Sequence, residues 1–167
     1  MQLVIRNGAI VATHLDEQDI AGLYPDSIMV HAPNGTLVEI GQPWAVELDR
    51  AKAAVCTEID ARAEKLRNAV LTPGSGQMAA YQEKERQARL LLADATPTEG
   101  EYPDIFNEIG VTADSAGEVA MAVVTASERW RGYGRSIERA RLAGKKAVGQ
   151  AADVAAILAA RDGIVWP

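Results

Sequence analysis

The sequence predicts an α+β protein, with a small N-terminal antiparallel β module followed by an antiparallel helical hairpin or bundle that includes one long heptad-patterned helix. Three observations predict it. Asn-Gly turn chemistry lies between short apolar runs near the N-terminus, which is the strongest local hairpin signal because both turn positions need φ > 0. From Trp44 onward the composition changes to the strong helix formers Ala, Glu, Arg and Leu. Between Thr112 and Leu158 the apolar positions recur in alternating steps of four and three. These place a β-rich module at residues 1–44 and an α-helical bundle domain at 45–167.

In chain order, Leu3-Val4-Ile5 and Ile10-Val11-Ala12 flank Arg6-Asn7-Gly8-Ala9 and form a first hairpin. A polar insert, His14 to Asp19, precedes Leu23-Tyr24-Pro25-Asp26. Ile28-Met29-Val30 and Leu37-Val38-Glu39-Ile40 then flank Pro33-Asn34-Gly35, repeating the hairpin chemistry. The expectation is a sheet of three or four strands that ends at Gly41-Gln42-Pro43. A sheet that small is marginal unless it covers a face.

Leu48, Ala51, Val55, Ile59, Ala63, Leu66 and Val70 fall at helical spacing, so a helix is expected from about Val46 to Leu71. Thr72-Pro73-Gly74-Ser75-Gly76 breaks it. A second helix, from about Gln77 to Asp94, is expected to fold back antiparallel on the first. Its apolar stripe is Met78, Tyr81, Ala88, Leu91 and Leu92, with Glu83, Lys84, Arg86 and Arg89 facing solvent. Ala95 to Pro103 is a loop by its Thr, Pro and Gly content. Asp104 to Ile109 reads as a short helix closed by Gly110.

Ser115 with Glu118 three residues later matches a capping box at the start of the long helix. Its seam runs Val119, Val123, Ala126, Trp130, Tyr133, Ile137, Ala140, Gly144, Ala147, Ala151, Val154 and Leu158, the 3.5-residue repeat of a left-handed coiled coil. Unbroken, it would extend roughly 65 to 70 Å. Gly132, Gly134, Gly144 and Gly149 each weaken it by up to about 1 kcal/mol. They either permit close contact or mark a bend. A stop near Gly149, with Asp153 capping a separate last helix to Arg161, is the alternative.

Composition narrows the function. The chain has 167 residues, a net charge of −6 and aromatic residues at only 5%, with a pI near 5.0. Nonspecific binding to nucleic acid or to an anionic membrane is therefore disfavoured. Cys56 has no partner for a disulfide and reads as a small packing residue, consistent with a reducing cytoplasm. No apolar run approaches the length of a membrane span. Alanine-rich seams bury little area per residue, which points to stabilisation by oligomerisation or by docking to a partner.

Candidate chemistry is sparse. His14 and His31 lie near Asp16, Asp19 and Asp26 but lack a compact ligand spacing, so no metal site is expected. The Gly-rich stretch at 72–76 lacks the Gly-Lys-Ser/Thr ending of a phosphate loop and is preceded by a helix rather than a strand. Arg129, Trp130, Arg131, Tyr133, Arg135, Arg139 and Arg141, followed by Lys145 and Lys146, have the composition of a single-strand nucleic-acid surface. Trp130 and Tyr133 fall on the seam, however, and the arginines can pair with Glu47, Asp49, Glu58 and Glu64. No arrangement implies acid–base or nucleophilic catalysis, and none implies a cofactor.

Two stretches carry a resemblance. Asn7 to His14 with Asp16, Leu23-Tyr24-Pro25, Pro33 and Gly41-Gln42-Pro43 resembles the N-terminal β segment of small tail-associated proteins of tailed bacteriophages and prophages. Leu71-Thr72-Pro73-Gly74-Ser75-Gly76-Gln77, Tyr81-Gln82-Glu83-Lys84, Leu92-Ala93-Asp94, Tyr102-Pro103 and Trp130 are similar to a helical module of such proteins. The resemblance implies a non-enzymatic tail tip or fibre-attachment component, or a fibre-assembly chaperone absent from the mature virion. It implies tail or fibre proteins as partners, and a place in the host cytoplasm during assembly and in the virion tail afterwards. A host-directed regulator or nucleic-acid-binding protein is the reading from another class. Trp44, Trp130, Tyr133 and Trp166 are the candidate interaction residues, because large aromatics dominate interface energetics.

Overall fold

A computed structural model describes residues 1–16, 18, 20, 23–33, 36–70 and 75–167. The protein is α+β: a three-stranded antiparallel sheet at the N-terminus is followed by helices, one of them long. β1 (Gln2–Arg6), β2 (Ala9–His14) and β3 (Ile28–His31) lie in the order β2-β1-β3. Asn7 and Gly8, at φ 52° and 75°, make the expected turn between β1 and β2, the conformation that favours Asn-Gly.

β3 returns beside β1 with Leu3 opposite Val30 and Ile5 opposite Ile28. The second hairpin does not form: among the described residues, 36–40 make no strand. Leu37 and Ile40 stay 93% and 64% exposed. Their three-residue spacing cannot turn both side chains to one face of a strand, whereas Ile28 and Val30 alternate correctly. The turn expected at Asn34-Gly35 lies outside the described residues. The chain comes back to β2 instead, where the Ile10 amide donates to the Gln42 carbonyl and the Gly41 amide to that of Ile10.

The chain divides into two compact units, residues 1–66 with 137–167, and residues 67–136. Composition changes at Trp44, whereas the first unit runs through that point. Its core joins Leu3, Ile5, Ile10, Ile28 and Val30 of the sheet to Ala51, Val55 and Ile59 of α1 (Leu48–Asn68). Val148 of α4 (Ala116–Gln150) and Ile157 of α5 (Val154–Asp162) complete it. The helix after the sheet thus covers the face that a small sheet needs covered.

In the second unit, α2 (Ser75–Leu91) buries Ala88 and Leu91 against Ile105 of the short helix α3 (Pro103–Phe106) and against Val119 and Ala120 of α4. The expected α2 stripe holds in part: Met78 is half-buried, and Ala88 and Leu91 are buried. Tyr81 and Leu92 are exposed, whereas Gln87 is buried and Lys84 half-buried. Lys84 and Gln87 can face inward because Glu108 and Asp104 receive their donors. Glu83 likewise binds Arg86 and Gln87 rather than solvent alone.

Ser115 caps α4, its hydroxyl accepting from the Glu118 amide at 3.3 Å. The heptad seam does not hold along the helix: Ala126 and Ala147 are exposed, while Ala120 and Val148 are buried. An α-helix drifts by ~20° per heptad against a strict 3.5 repeat, so its buried face moves off the a/d positions. α4 stops at Gln150, and Asp153 caps α5 by accepting from the Ala156 amide at 2.8 Å. Val154 and Leu158 therefore belong to α5 and not to the long helix.

Gly144 settles which inner glycine permits close approach. A Cβ there would lie 2.3 Å from the Ile164 Cδ1, whereas Gly132, Gly134 and Gly149 have nothing within 4 Å.

Candidate functional site

The residues nominated as interaction anchors divide between the units. Trp44 and Trp166 are half-buried and lean on the sheet–helix core of the first. Trp130 and Tyr133 are half-buried on the part of α4 that belongs to the second. They do not build one site.

The histidines are engaged by neighbours other than a metal. His14 places Nε2 2.8 Å from the Tyr24 hydroxyl and Nδ1 3.1 Å from Gln18 Oε1. His31 Nδ1 lies 2.9 Å from Asp16 Oδ1. Asp16 is also bound by the amine of Met1, which with His31 holds its carboxyl below the usual range. Among the described residues no group of three His, Cys, Asp or Glu converges as metal ligands. Cys56 is a half-buried free thiol against the core.

Several members of the basic stretch are spent within the fold. Arg141 and Lys145, one turn apart on α4, both bind the Asp60 carboxylate at 2.7 Å. Their hydrogen bonds, Lys145 first, lower its pKa. Arg131 binds Glu85 at 2.7 Å. Asp60 on α1 thus meets the stretch, and Glu58 turns to a different arginine.

That arginine is Arg161, in the last turn of α5, and sequence reasoning missed it. Its Nη1 donates to the Ser27 carbonyl at 2.8 Å and to Glu58 Oε2 at 3.3 Å, and Nη2 donates to the Pro25 carbonyl. It thus ties α5 to the turn before β3 and to α1. Ser27 is itself fully buried, with its hydroxyl receiving the Arg6 Nε–H at 3.2 Å. A cation in the last turn of a short helix was the visible signal, but its partners lie 103 and 134 residues away in the chain.

Beside this cluster is a groove of about 480 Å³ lined by residues of β3 and α1, with Gln2 of β1. Ala53, Thr57 and Ala61, exposed at four-residue intervals on α1, form one wall. Gln18 and Ile20 line the other side, and Met29 and His31 lie along the strand edge. Glu58 also lines it. Burial pushes its carboxyl above the usual range, against the pull of Arg161 and of the nearby Met29 amide. Its Oε1 is buried without a hydrogen-bond partner among the described residues.

Comparison with protein-family models, curated proteins and solved structures finds no match. Among the described residues no helix is long and apolar enough to cross a membrane.

Proposed function

We propose that this chain is a non-enzymatic structural component of a phage tail, at the tail tip or fibre-attachment region, that docks to other tail or fibre proteins. The observation that carries the docking part is the outer edge of β3, which has no strand partner among the described residues, because an unpaired strand edge is a template for another chain. The resemblance of residues 7–43 and 71–103 to tail-associated proteins supplies the tail. Within the fold, His14 meets Tyr24 and Gln18, and His31 meets Asp16.

The test is mass spectrometry of purified virions, read beside size-exclusion light scattering of the isolated protein. Stoichiometric copies in the particle, with self-association or fibre binding in solution, are expected. Absence from the particle with a complex formed only on immature fibre would replace this reading by the assembly chaperone. Absence with no tail partner would overturn both and favour a regulator.

A further inference from the structure

We propose that the chain self-associates through residues 67–136, with the acidic end of that unit in one copy seated on the basic α2–α4 surface of a second copy. This surface lies outside the unit that contains β3 and goes beyond the docking reading above.

Charge is distributed unevenly within this unit. Residues 90–128 contain eight carboxylates and no Lys, Arg or His. Glu108 is bound by Lys84 and Glu128 by Arg89, both from α2. Four others are met by neutral donors: Asp94 by the Tyr102 hydroxyl, Glu101 by Thr98, Asp104 by Gln87 and Glu118 by Ser115. Asp114 and Glu99 are exposed, and no cation binds either among the described residues. Tyr102, Ala113 and Ala116 pack on the core of Leu91, Ile105 and Val119, which gathers both loops and the start of α4 at one end of the unit.

The cations lie at the other end. Arg89 meets Glu128 and Arg131 meets Glu85, so α2 and α4 run antiparallel and Tyr81, one turn before Glu85, comes level with Arg135. Arg129 and Arg135 are exposed, and among the described residues no carboxylate binds either. Arg135 follows Glu118 by 17 residues on α4, about 25 Å of helix. The Debye length at physiological salt is about 8 Å. The two ends of one copy are therefore too far apart to neutralise each other, whereas two copies can bring them together. The same screening leaves the net charge of −6 a weak obstacle, since charges beyond a Debye length hardly repel.

Apolar surface accompanies the charge at both ends. At the acidic end Val111 is 84% exposed, on a loop fixed by the Gly110 amide donating to the Ala113 carbonyl at 2.8 Å and the Val111 amide donating to that of Glu108 at 3.0 Å. A projection already held in place loses little freedom on docking. On the receiving side no residue from Gly76 to Gln82 is buried, and Ala80 and Tyr81 are exposed. The first half of α2 is thus a helix face without cover, beside cations without anions. The chain's own acidic end supplies both the apolar contact and the opposite charge, and opposite charge fixes which end meets which.

Light scattering of the full chain over a concentration series up to about 1 mM, at roughly 0.05 and 0.5 M salt, is the test. Self-association is expected, weakened at least about tenfold at the higher salt. Arg135→Glu and Asp114→Lys, both at exposed positions, should each leave the chain monomeric. An equimolar mixture of the two should associate, because one variant keeps the acidic end and the other the basic end. Val111→Ser should weaken association without altering its salt dependence. Hydrogen exchange checks that each variant keeps the fold, and Glu99→Lys replaces Asp114→Lys if the start of α4 is disturbed. The proposal is overturned by a parent chain that stays monomeric, by association that salt leaves unchanged or strengthens, by single variants that associate as well as the parent, and by a mixture that stays monomeric. Virion composition and fibre binding are measured independently, so a monomeric chain leaves the tail reading standing.

Discussion

The two units solve the same problem with different materials. The first buries large aliphatic side chains across a sheet and three helices, Leu3, Ile10, Ile28, Ile59 and Ile157 among them. The second has a smaller core of Ala88, Leu91, Ile105, Val119 and Ala120. It surrounds that core with polar ties. Lys84 binds Glu108, Arg89 and Arg131 share Glu85, Gln87 reaches Asp104, and the Tyr102 hydroxyl donates to Asp94 at 2.9 Å. Burial is non-directional and insensitive to pH, whereas charge pairs are directional and titrate. The second unit therefore leans more on protonation state, while the first adds the charge pairs of Asp60 and Glu58 to its larger volume.

The sharpest way to break this contrast is to remove volume from each. Ile59→Ala and Ile157→Ala should each cost about 2 to 5 kcal/mol, read as faster exchange across residues 1–66 and 137–167. Ile105→Ala should fall in the same range, with the faster exchange confined to 67–136. Hydrogen-exchange mass spectrometry resolved by segment checks both. Spreading of either effect through the whole chain would show that the cores behave as one.

Acid should separate the units next. Hydrogen bonds from Arg86 and then Gln87 hold Glu83 down to about 2. Lys84, then Thr112, lowers Glu108. Burial works against Glu85, but hydrogen bonds from Ser127 and Arg89 with the charges of Arg131 and Arg89 outweigh it. A carboxyl with its folded pKa depressed contributes stability above its unfolded value of about 4.3, and loses it as pH falls through the folded value. The second unit should thus loosen between about pH 4 and pH 2. Glu58 has the opposite sign, since its raised pKa favours the folded first unit on protonation. Asp60 and Asp16 oppose it in that unit, both lowered. Fluorescence of a variant that keeps Trp130 alone, against one that keeps Trp44 alone, reads the two transitions. Coincident acid midpoints would count against the contrast.

The glycines of α4 sharpen it further. Gly144→Ala must displace Ile164, with Ile59 Cδ1 at 3.6 Å behind it. Overpacking of about 1 to 3 kcal/mol then opposes a propensity gain of about 1 kcal/mol, and a net loss is expected. Gly132→Ala and Gly134→Ala meet nothing within 4 Å and should stabilise by up to about 1 kcal/mol each. Thermal midpoints of the three variants suffice. The smallest expected effects are at the caps, where Asp153→Ala and Ser115→Ala should each cost about 1 kcal/mol or less, measured by denaturant midpoint.

What the chain disclosed about itself follows the range of the interactions. The Asn7-Gly8 turn, the Ser115 cap and the Asp153 cap are local, each readable within a few residues. The α1 stripe of Ala51, Val55, Ile59 and Ala63 was legible because α1 buries one face throughout. The α2 stripe was legible at Ala88 and Leu91 but not at Lys84 and Gln87, whose inward placement depends on Glu108 and Asp104 beyond the helix. Leu37 to Ile40 looked like a strand by composition, but Leu37 and Ile40 do not alternate onto one face and both stay exposed. The groove was the least legible feature. Strand addition could be anticipated from a small sheet, yet Arg161, Ser27 and Glu58 share no local pattern, and only folding brings α5 to the start of β3.

Residues 36–40 carry a practical consequence. The segment from Ala32 to Gly41 is fastened at both ends, by the Ala32 amide on Met1 and the Gly41 amide on Ile10, the latter at 2.7 Å. Its ends are fixed whatever length of chain joins them. Each doubling of that length costs only about 0.6 kcal/mol in closure entropy. Leu37, almost wholly solvent-facing, is therefore a natural splice point for a peptide epitope or a fluorescent label that follows the protein without disturbing the sheet beneath.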